Sequence, residues 1–574
     1  MTNFDATHYP YASRRTVVYA NRGMVATSQP LAAQAGLAVL QAGGNAIDAA
    51  IATAAALTVV EPTANGIGGD SFALVWHGGK LHGLNASGPA PRSLTLDHMT
   101  GLGHTSMPKY GPLPVTVPGA PAAWAALASR FGRLPLTTSM ARAVELARDG
   151  FPVSPMVAFA WQQATRLFRE ELKAPYFKPW FDTFAPERAP QAGEIWRSAG
   201  HADTLQDIAQ TGAASFYRGA LAEKIAACVQ AAGGHLTLDD LGAYQVDWCQ
   251  PISVNYRGYD VWEIPPNGHG LVALLALNIL KGFDFEERDT LLTHHRQIEA
   301  IKLAFADGLA HIADPAHMRV SVADLLSDAY ADERRALIGA QAARPLPGEP
   351  PRGGTVYLST ADGEGNMVSL IQSNYMGFGS GLVVPGTGIG LHNRGNNFSL
   401  DATHPNCLAP GKRPYHTIIP GFLTKDGAAV GPFGVMGGFM QPQGHVQMVM
   451  NTVDFGLNPQ AALDAPRWEW ESGRRVNIER ATPEHLFHGL AALGHEVNWS
   501  GNRLAFGRGQ IIWRNAQIGR AAAPSRAQTA RSPPGKAGQT RHGRTPAQRL
   551  QPGPGGPGQS GLGPDGQSQC CYEK

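Results

Sequence analysis

A glycine pair that runs directly into a strand–turn–strand pattern places the strongest constraint on the fold of this 574-residue chain. Residues 355–360 are rich in β-branched and aromatic side chains and predict a strand. Residues 362–366 have turn composition, and residues 367–371 predict the returning strand of a hairpin. The simplest interpretation of the glycines at 353–354 is therefore a flexible loop that enters this hairpin.

Thr355 has a second interpretation, which depends on cleavage of the chain. If the bond between Gly354 and Thr355 were cut, Thr355 would carry both a hydroxyl and a free α-amine. An α-amine titrates near about pH 7.7–8.0, so a fraction of it is neutral and can act as a base for the hydroxyl. The Pro-rich residues 344–351 predict an exposed connector, in which a chain break is tolerated.

Composition excludes several classes of protein. No stretch approaches the roughly 18 apolar residues that a membrane span requires, and residues 1–15 lack the apolar core of a secretory signal. We therefore expect no membrane partner and a cytoplasmic location, with the periplasm as the less favoured alternative. The five cysteines, at positions 228, 249, 407, 570 and 571, form neither a disulfide framework nor a zinc pattern, and we expect no metal or other cofactor.

Charge is distributed unevenly along the chain. Residues 514–574 carry nine Lys and Arg against two Asp and Glu, so the net charge of +2 leaves −5 on residues 1–513. The mildly acidic body has no broad basic face, and we expect no nucleic-acid partner. After Trp513 the composition changes to Ala, Pro, Gly, Arg and Gln, which predicts a disordered basic tail over residues 514–574.

Helical patterns are concentrated before Thr355. Residues 31–42 and 46–59 predict two helices, with Asn45 as the N-cap of the second, and residues 120–345 are predicted to be mainly helical. From Thr355 onward strand patterns dominate, with one helical run at residues 443–453.

The glycine-rich residues 65–70 resemble a loop that cradles a phosphate. Such a loop needs a helix after it, whereas residues 72–76 and 81–85 predict a hairpin. The sequence therefore disfavours a nucleotide site.

A second glycine pair, Gly437 and Gly438, lies shortly before the predicted helix at residues 443–453. Two unencumbered backbone N–H groups can stabilise a developing oxyanion, and removal of one such donor typically costs about 3 kcal/mol. Most glycine pairs are simply turns, so this pair does not decide the function alone.

Seven motifs, in this order, resemble those of the gamma-glutamyltransferase family of self-processing N-terminal-nucleophile enzymes. The motifs are residues 43–50, 61–70, 117–119, 302–307, 355–366, 412–414 and 437–438, within a match from about Met24 to Arg514. The resemblance implies an α+β fold, a four-layer αββα sandwich. It also implies autocatalytic cleavage between Gly354 and Thr355, which yields a heavy segment (1–354) and a light segment (355–513) that stay associated, alone or as a dimer of such pairs.

The resemblance also assigns roles to individual residues. Thr355 is implied to be the nucleophile in maturation and catalysis, and Gly437 and Gly438 the oxyanion hole. Ser373 occupies the position of a second hydroxyl that helps to position the nucleophile. No metal is implied.

The substrate-binding positions depart from the family pattern. His416 and Thr417 replace a pair of serines near the substrate's carboxylate. Arg394 and Asn397 stand where an acidic residue normally holds the α-ammonium of a glutamyl group, and Asn85 or a neighbour stands where an arginine binds its carboxylate. Arginine favours a carboxylate through paired N–H donors, although a structural salt bridge is the alternative for Arg394.

These departures predict an N-terminal-threonine amidohydrolase that cleaves glutaryl or γ-glutamyl amides. This activity resembles that of the family's cephalosporin acylases, which release 7-aminocephalosporanic acid from glutaryl-type amides. Transfer of the acyl group to amino acids or peptides is a further expected outcome. Two alternatives stay open: an ordinary γ-glutamyl hydrolase or transpeptidase acting on glutathione, and an unprocessed, inactive relative that serves as a binding scaffold.

Overall fold

The computed structural model describes residues 9–12, 15–345, 354–502, 505–515, 520–523 and 528–529. Gly353, most of the predicted Pro-rich connector and residues 530–574 of the predicted tail lie outside the described residues. No helix within the described ranges is long and apolar enough to cross a membrane.

The helices and strands of the described residues have the following bounds. In chain order the α-helices are α1 (Pro30–Gln41), α2 (Ala46–Val60), α3 (Leu96–Gly101), α4 (Ala120–Phe131), α5 (Leu136–Asp149), α6 (Pro155–Glu171), α7 (Lys178–Phe184), α8 (Ala199–Thr211), α9 (Ala214–Arg218), α10 (Ala220–Ala231), α11 (Leu238–Gly242), α12 (Gly270–Leu280), α13 (Leu291–His311), α14 (Val322–Leu325), α15 (Asp328–Ala336), α16 (Met440–Val453), α17 (Pro459–Asp464) and α18 (Glu484–Ala492). The strands are β1 (Val18–Ala20), β2 (Gly23–Thr27), β3 (Asp70–His77), β4 (Lys80–Ala86), β5 (Phe151–Pro152), β6 (Ile195–Trp196), β7 (Asp247–Cys249), β8 (Ile252–Tyr256), β9 (Tyr259–Glu263), β10 (Gly354–Asp362), β11 (Met367–Tyr375), β12 (Gly421–Lys425), β13 (Ala428–Val435), β14 (Trp468–Ser472), β15 (Arg475–Glu479), β16 (Glu496–Ser500), β17 (Gly509–Ile511), β18 (Trp513–Asn515), β19 (Arg520–Ala523) and β20 (Gln528–Thr529).

The predicted hairpin after Gly354 is confirmed as β10 and β11, at the centre of a seven-stranded antiparallel sheet. Its strand order is β20-β2-β10-β11-β3-β4-β7. The second predicted hairpin is confirmed as β3 and β4 in the same sheet. Because β11 is buried along its whole length, the sheet's centre lies inside the protein.

A five-stranded antiparallel sheet, of order β17-β13-β12-β9-β8, packs against the first. Trp76 of β3 stacks on Phe422 of β12 with ring centroids 6.0 Å apart. Tyr357 of β10 lies over Gly434 of β13, where a Cβ would approach a ring carbon to 2.5 Å. Glycine at 434 therefore permits the close approach of the two sheets.

Each sheet is also contacted by its own set of helices. Helices α1, α2 and α4 contact strands of the seven-stranded sheet, and α12 and α16 contact strands of the five-stranded sheet. The Asn45 cap of α2 is confirmed: Asn45 Oδ1 accepts from the backbone N–H of Ile47 and Asp48, at 2.9 and 3.0 Å. Helix α2 is buried on all sides because its many alanines allow neighbours to approach closely.

Three features of the secondary structure differ from the sequence-based expectation. The mainly helical region also contributes β7, β8 and β9 to the two sheets, and the region after Thr355 contains α17 and α18 besides the predicted helix. Strands β19 and β20 pair with β1 and β2, so the folded part continues beyond the predicted boundary at residue 513. Residues 520–523 carry no large apolar side chain, so their composition does not predict a strand. Their strand conformation depends on pairing with a neighbouring strand.

Burial lowers the pKa of several histidines. The pKa falls to about 4 for His201 and His294, and to about 3 for His416 and His495. The protonated imidazolium is poorly solvated in the interior, so these side chains are neutral in the folded protein at neutral pH.

This burial makes the protein sensitive to acid. In the unfolded chain each histidine is protonated near pH 6.5, whereas in the folded protein these histidines are protonated only at about pH 3–4. The unfolded state therefore binds more protons in this window, and stability falls as the pH falls from about 6.5, by up to about 1.4 kcal/mol per pH unit for each histidine. Apparent Tm measured at pH 7, 6 and 5 should fall progressively.

The variant His201→Gln provides a matched control, because it removes one titrating group in the interior. Its Tm should depend less steeply on pH than that of the wild type. A wild-type Tm that is constant or rises between pH 7 and pH 5 would contradict this explanation.

Candidate active site

Thr355 occupies an irregular position in the central hairpin. The register of β10 against β11 shifts between Gly354 and Val356, so Thr355 stands alone against two residues, Ser373 and Asn374. Such a bulge bends the strand and re-aims a side chain. Thr355 is buried, and it lines a cavity of about 520 Å³.

Two side chains hold the Thr355 hydroxyl. Thr355 Oγ1 donates to Ser373 Oγ at 3.3 Å and accepts from Gln441 Nε2 at 3.4 Å. Ser373 Oγ is itself fixed by the backbone N–H of Tyr375 at 2.7 Å. The structure thus brings the predicted supporting hydroxyl of Ser373 to Thr355 and adds Gln441, which the sequence did not indicate.

Gly437 and Gly438 form the turn between β13 and α16. Their φ angles of +130° and +60° suit glycine, and their carbonyls accept from Met440 and Gln441 in the first turn of α16. Their own N–H groups have no acceptor in the described part of the chain. Gly437 lines the same cavity as Thr355. The pair therefore offers free donors at the N-terminus of a 14-residue helix, where the helix dipole favours negative charge.

The cavity above Thr355 has mainly apolar walls with charged groups among them. Its apolar walls include Ala164, Leu167, Phe168, Met376, Phe378, Met436, Phe439 and Trp470. Its charged lining residues are Lys109, Glu469, Glu471 and Arg508. A cavity of this size and character accommodates a drug-sized organic group.

A cluster of buried polar side chains centres on Asp70, the first residue of β3. Asp70 Oδ2 accepts from His416 Nε2 at 2.8 Å, from His392 Nδ1 at 3.0 Å and from Arg394 Nε at 3.4 Å. Burial would raise the pKa of Asp70, but the hydrogen bonds that it accepts from His392 and His416 oppose burial and help to hold that pKa well below its usual range. Asp70 is therefore ionised.

The hydrogen bonds of the two histidines differ. His416 donates from Nε2 and accepts at Nδ1 from the N–H of Ile418, at 3.4 Å, as a neutral ring does. His392 directs Nδ1 at Asp70 and Nε2 at Thr116, whose carbonyl oxygen lies 2.9 Å and whose hydroxyl 3.1 Å away. The Thr116 hydroxyl can donate to Nε2 while Nδ1 donates to Asp70, and a neutral ring satisfies both contacts. The cluster thus pairs the carboxylate of Asp70 with the guanidinium of Arg394.

Arg394 is fully buried and only partly satisfied. Its Nη1 donates to Thr417 Oγ1 at 2.8 Å, and its guanidinium carbon lies 4.5 Å from the ring centroid of Tyr375. Burial lowers the pKa of Arg394, while Asp70 opposes that change. Among the described residues Nη2 has no partner. The predicted alternative of a salt bridge is thus observed, and one N–H₂ group remains available beside it.

The predicted substrate-binding residues lie outside the lining of the cavity above Thr355. Asn85 Nδ2 donates to Asn267 Oδ1 at 2.9 Å, and Asn267 accepts the N–H of His416 through its carbonyl. Asn397 Nδ2 is buried without a partner in the described ranges. The residues lining the cavity above Thr355 do not include Asn85, Arg394, Asn397, His416 or Thr417. The structure therefore separates an open cavity from a closed polar cluster.

Several residues of these two groups, including His392, Asp70, Gln441 and Tyr375, were not singled out from the sequence. Asp70 ends the glycine-rich segment 65–70, which was interpreted as a backbone loop. Gln441 lies in the first turn of the helix after Gly438, and Tyr375 ends β11. A charged residue at the start of an otherwise apolar strand was the signal that could have identified Asp70.

One other group of side chains has the composition of a metal site. His295, Glu299 and His495 offer ligand atoms within 4.8 Å of one another. However, the ammonium of Lys302 donates to Glu299 Oε1 at 2.7 Å and contacts His495 Nδ1 at 3.3 Å. Lys302 therefore supplies the positive charge in this group.

The chain is similar to proteins of known structure and name. A crystal structure of cephalosporin acylase from Bacillus halodurans is 60% identical, covers 92% of this chain and 99% of its own, and superposes with a TM-score of 0.88. The glutathione hydrolase-like YwrD proenzyme of Bacillus subtilis is 36% identical over 84% of this chain and 93% of its own length. The oxamate amidohydrolase proenzyme of Klebsiella pneumoniae is also 36% identical, over 83% of this chain and 91% of its own. The Gamma-glutamyltranspeptidase family model matches residues 32–533, and the chain is therefore an enzyme of the gamma-glutamyltranspeptidase family.

Proposed function

We propose that the chain is a self-processing amidohydrolase whose nucleophile is Thr355, released by cleavage after Gly354. The observation that carries this proposal is the position of the Thr355 hydroxyl, held at a bulge in the cavity that Gly437 also lines. The names of the two relatives as proenzymes support cleavage of a precursor. The succession of helices, sheet, sheet and helices fits the αββα sandwich of N-terminal-nucleophile enzymes.

Catalysis begins when the neutral α-amine of Thr355 takes the hydroxyl proton as Oγ1 attacks the substrate's amide carbon. The oxyanion that forms accepts hydrogen bonds from the N–H groups of Gly437 and Gly438. The protonated α-amine then gives its proton to the leaving nitrogen as the C–N bond breaks. Water, deprotonated by the same amine, releases the acid, whereas an amino acid or peptide amine would give transfer.

The heavy and light segments are expected to stay together after cleavage because buried contacts join them. Asp70 of the heavy segment accepts from His416 of the light segment, and Lys302 contacts His495 across the same division. Separation would exchange these buried hydrogen bonds for contacts with water, at a net loss of about 1.5–3 kcal/mol for each bond to a charged group.

We further propose that the acyl group carries a free carboxylate, as a glutaryl group does, and that Arg394 binds it. Asp70 contacts the buried Arg394 guanidinium through Nε alone, at 3.4 Å, so a substrate carboxylate can pair with the rest of the guanidinium. Arg394 Nη2 is available to donate to it. Oxamate and glutaryl-type cephalosporins both have an acyl part with a carboxylate and no amine.

One observation favours a second candidate, hydrolysis or transfer of γ-glutamyl groups. Asp70 Oδ1 has no partner within the described residues, and a buried carboxylate oxygen is a suitable acceptor for an α-ammonium. Asp70 is therefore a candidate for the acidic group that is absent at positions 394 and 397. The two candidates differ in whether Asp70 or only Arg394 recognises the substrate.

The variant Thr355→Ala tests self-processing. The wild type should give two bands on a denaturing gel, with Thr355 as the N-terminal residue of the smaller, whereas Thr355→Ala should give one band near 60.9 kDa and no amidase activity. Thr355→Ser keeps a hydroxyl and should still be cleaved. A single wild-type band would instead favour the inactive scaffold, and cleavage of Thr355→Ala would exclude Thr355 as the nucleophile of maturation.

Substrate preference tests the acyl group. The wild type should hydrolyse glutaryl-p-nitroanilide with a higher kcat/KM than γ-glutamyl-p-nitroanilide. Arg394→Gln should lower kcat/KM for the glutaryl compound about 100-fold, since loss of one partner of a buried charged pair costs roughly 2–5 kcal/mol. Arg394→Lys is the matched control, which keeps the charge but loses the planar fork.

The variant Asp70→Asn separates the two candidates. A loss confined to γ-glutamyl-p-nitroanilide, with that compound preferred by the wild type, would reject the glutaryl proposal in favour of the second candidate. Tm measurements on each variant show whether a loss of activity reflects misfolding.

A further inference from the structure

Tyr375 links the nucleophile to the buried polar cluster. Its backbone N–H donates to Ser373 Oγ at 2.7 Å, and Ser373 Oγ accepts from the Thr355 hydroxyl. Its ring centroid lies 4.5 Å from the guanidinium carbon of Arg394. Residue 375 therefore contacts both ends of the proposed acyl site, through its backbone at Thr355's partner Ser373 and through its ring at Arg394.

The backbone of Tyr375 is unusual. Its φ angle of +73° lies in the left-handed region, which a bulky aromatic residue rarely adopts and which costs of order 1–3 kcal/mol. The glycines at 377, 379 and 381 have φ angles of +56°, +76° and +78°. Met376 and Gly377, the next two residues, line the cavity above Thr355. The ring of Tyr375 is thus held beside Arg394 by a strained position at the boundary between cluster and cavity.

Tyr375 and residues near it have buried polar atoms without a hydrogen-bond partner among the described residues. The side chain of Tyr375 is 1% exposed, and its hydroxyl has no partner among the residues described. The same lack of a partner is found at three more buried atoms: Arg394 Nη2, Asp70 Oδ1 and Asn374 Oδ1. Buried polar groups are normally paired, so such a concentration indicates a place where a polar ligand completes the hydrogen bonding.

We propose that the ring of Tyr375 determines the length of acyl chain that the enzyme accepts. This inference rests on the proposed function, because it assumes that the acyl group extends from Thr355 to Arg394. The ring lies 4.5 Å from the guanidinium carbon of Arg394 and takes up space at that end of the site, so it limits how many methylenes fit between the attacked carbonyl and the terminal carboxylate. A smaller residue at 375 opens that space to longer chains.

The test compares p-nitroanilides of succinic, glutaric and adipic acid, which differ by one methylene each. Tyr375→Gly removes the ring and suits the positive φ angle, so the variant is expected to fold. Tyr375→Phe keeps the ring and removes the hydroxyl. The readout is the ratio of kcat/KM for the adipyl and glutaryl compounds, with KM and kcat recorded separately and Tm checked for each variant.

We expect Tyr375→Gly to raise the adipyl-to-glutaryl ratio at least tenfold, mainly through a lower KM for the adipyl compound. Tyr375→Phe should keep the wild-type ratio to within about twofold, whatever its absolute rate. An unchanged ratio in Tyr375→Gly, or an equal change in Tyr375→Phe, would overturn the proposal.

Rejection of the glutaryl proposal can be distinguished from rejection of the role of Tyr375. If the wild type cleaves γ-glutamyl-p-nitroanilide and none of the three dicarboxylic compounds, the glutaryl proposal is rejected. The length comparison then uses the γ-glutamyl compound against its δ-(α-aminoadipyl) homologue, which is longer by one methylene. Tyr375→Gly should again favour the longer substrate at least tenfold, and an unchanged ratio would overturn the role of Tyr375.

Discussion

The antiparallel pairing of β10 with β11, interrupted by a bulge at Thr355, is the constraint on which the rest of the site depends. Regular pairing would give Thr355 a single partner and fix its side chain by the alternation of the strand. The shift in register instead sets Thr355 against Ser373 and Asn374, and the hydroxyl is held by Ser373 and Gln441. Because β10 and β11 lie at the centre of the larger sheet, strands on both sides support this irregular position.

The site also depends on the buried carboxylate of Asp70 and the side chains that bind it. Asp70 is separated from His392, Arg394 and His416 by more than 300 residues in sequence, yet a single carboxylate oxygen accepts from all three. A buried carboxylate requires such compensation, and its partners all come from the segment after Thr355. The same contacts therefore assemble the proposed acyl-binding groups and connect the proposed heavy and light segments.

Much of the local structure could be predicted from the sequence. The hairpin after Gly354, the Asn45 cap and the helix after Gly438 depend on turn residues, capping residues and periodicity, which are local properties. Strands β19 and β20 could not be predicted, because their Ala-, Gln- and Thr-containing segments gain their structure from β1 and β2.

The candidate site could be predicted only in part. Thr355, Ser373 and Gly437 belong to short motifs, and the structure brings them to one place. The pairing of Asp70 with Arg394 is a long-range contact that no local pattern encodes. The positive φ angle of Tyr375 is likewise imposed by the surrounding fold, since its residue type argues against it.

The central claim is that Thr355 Oγ1 forms the covalent acyl-enzyme. The most direct measurement is mass spectrometry of the processed enzyme, quenched in acid during turnover of a glutaryl ester, followed by peptide mapping. The account predicts a mass increase of one glutaryl group on the segment that begins at Thr355, located at Thr355 itself. An acyl group on any other residue, or steady turnover with an unmodified Thr355 peptide at every quench time, would contradict it.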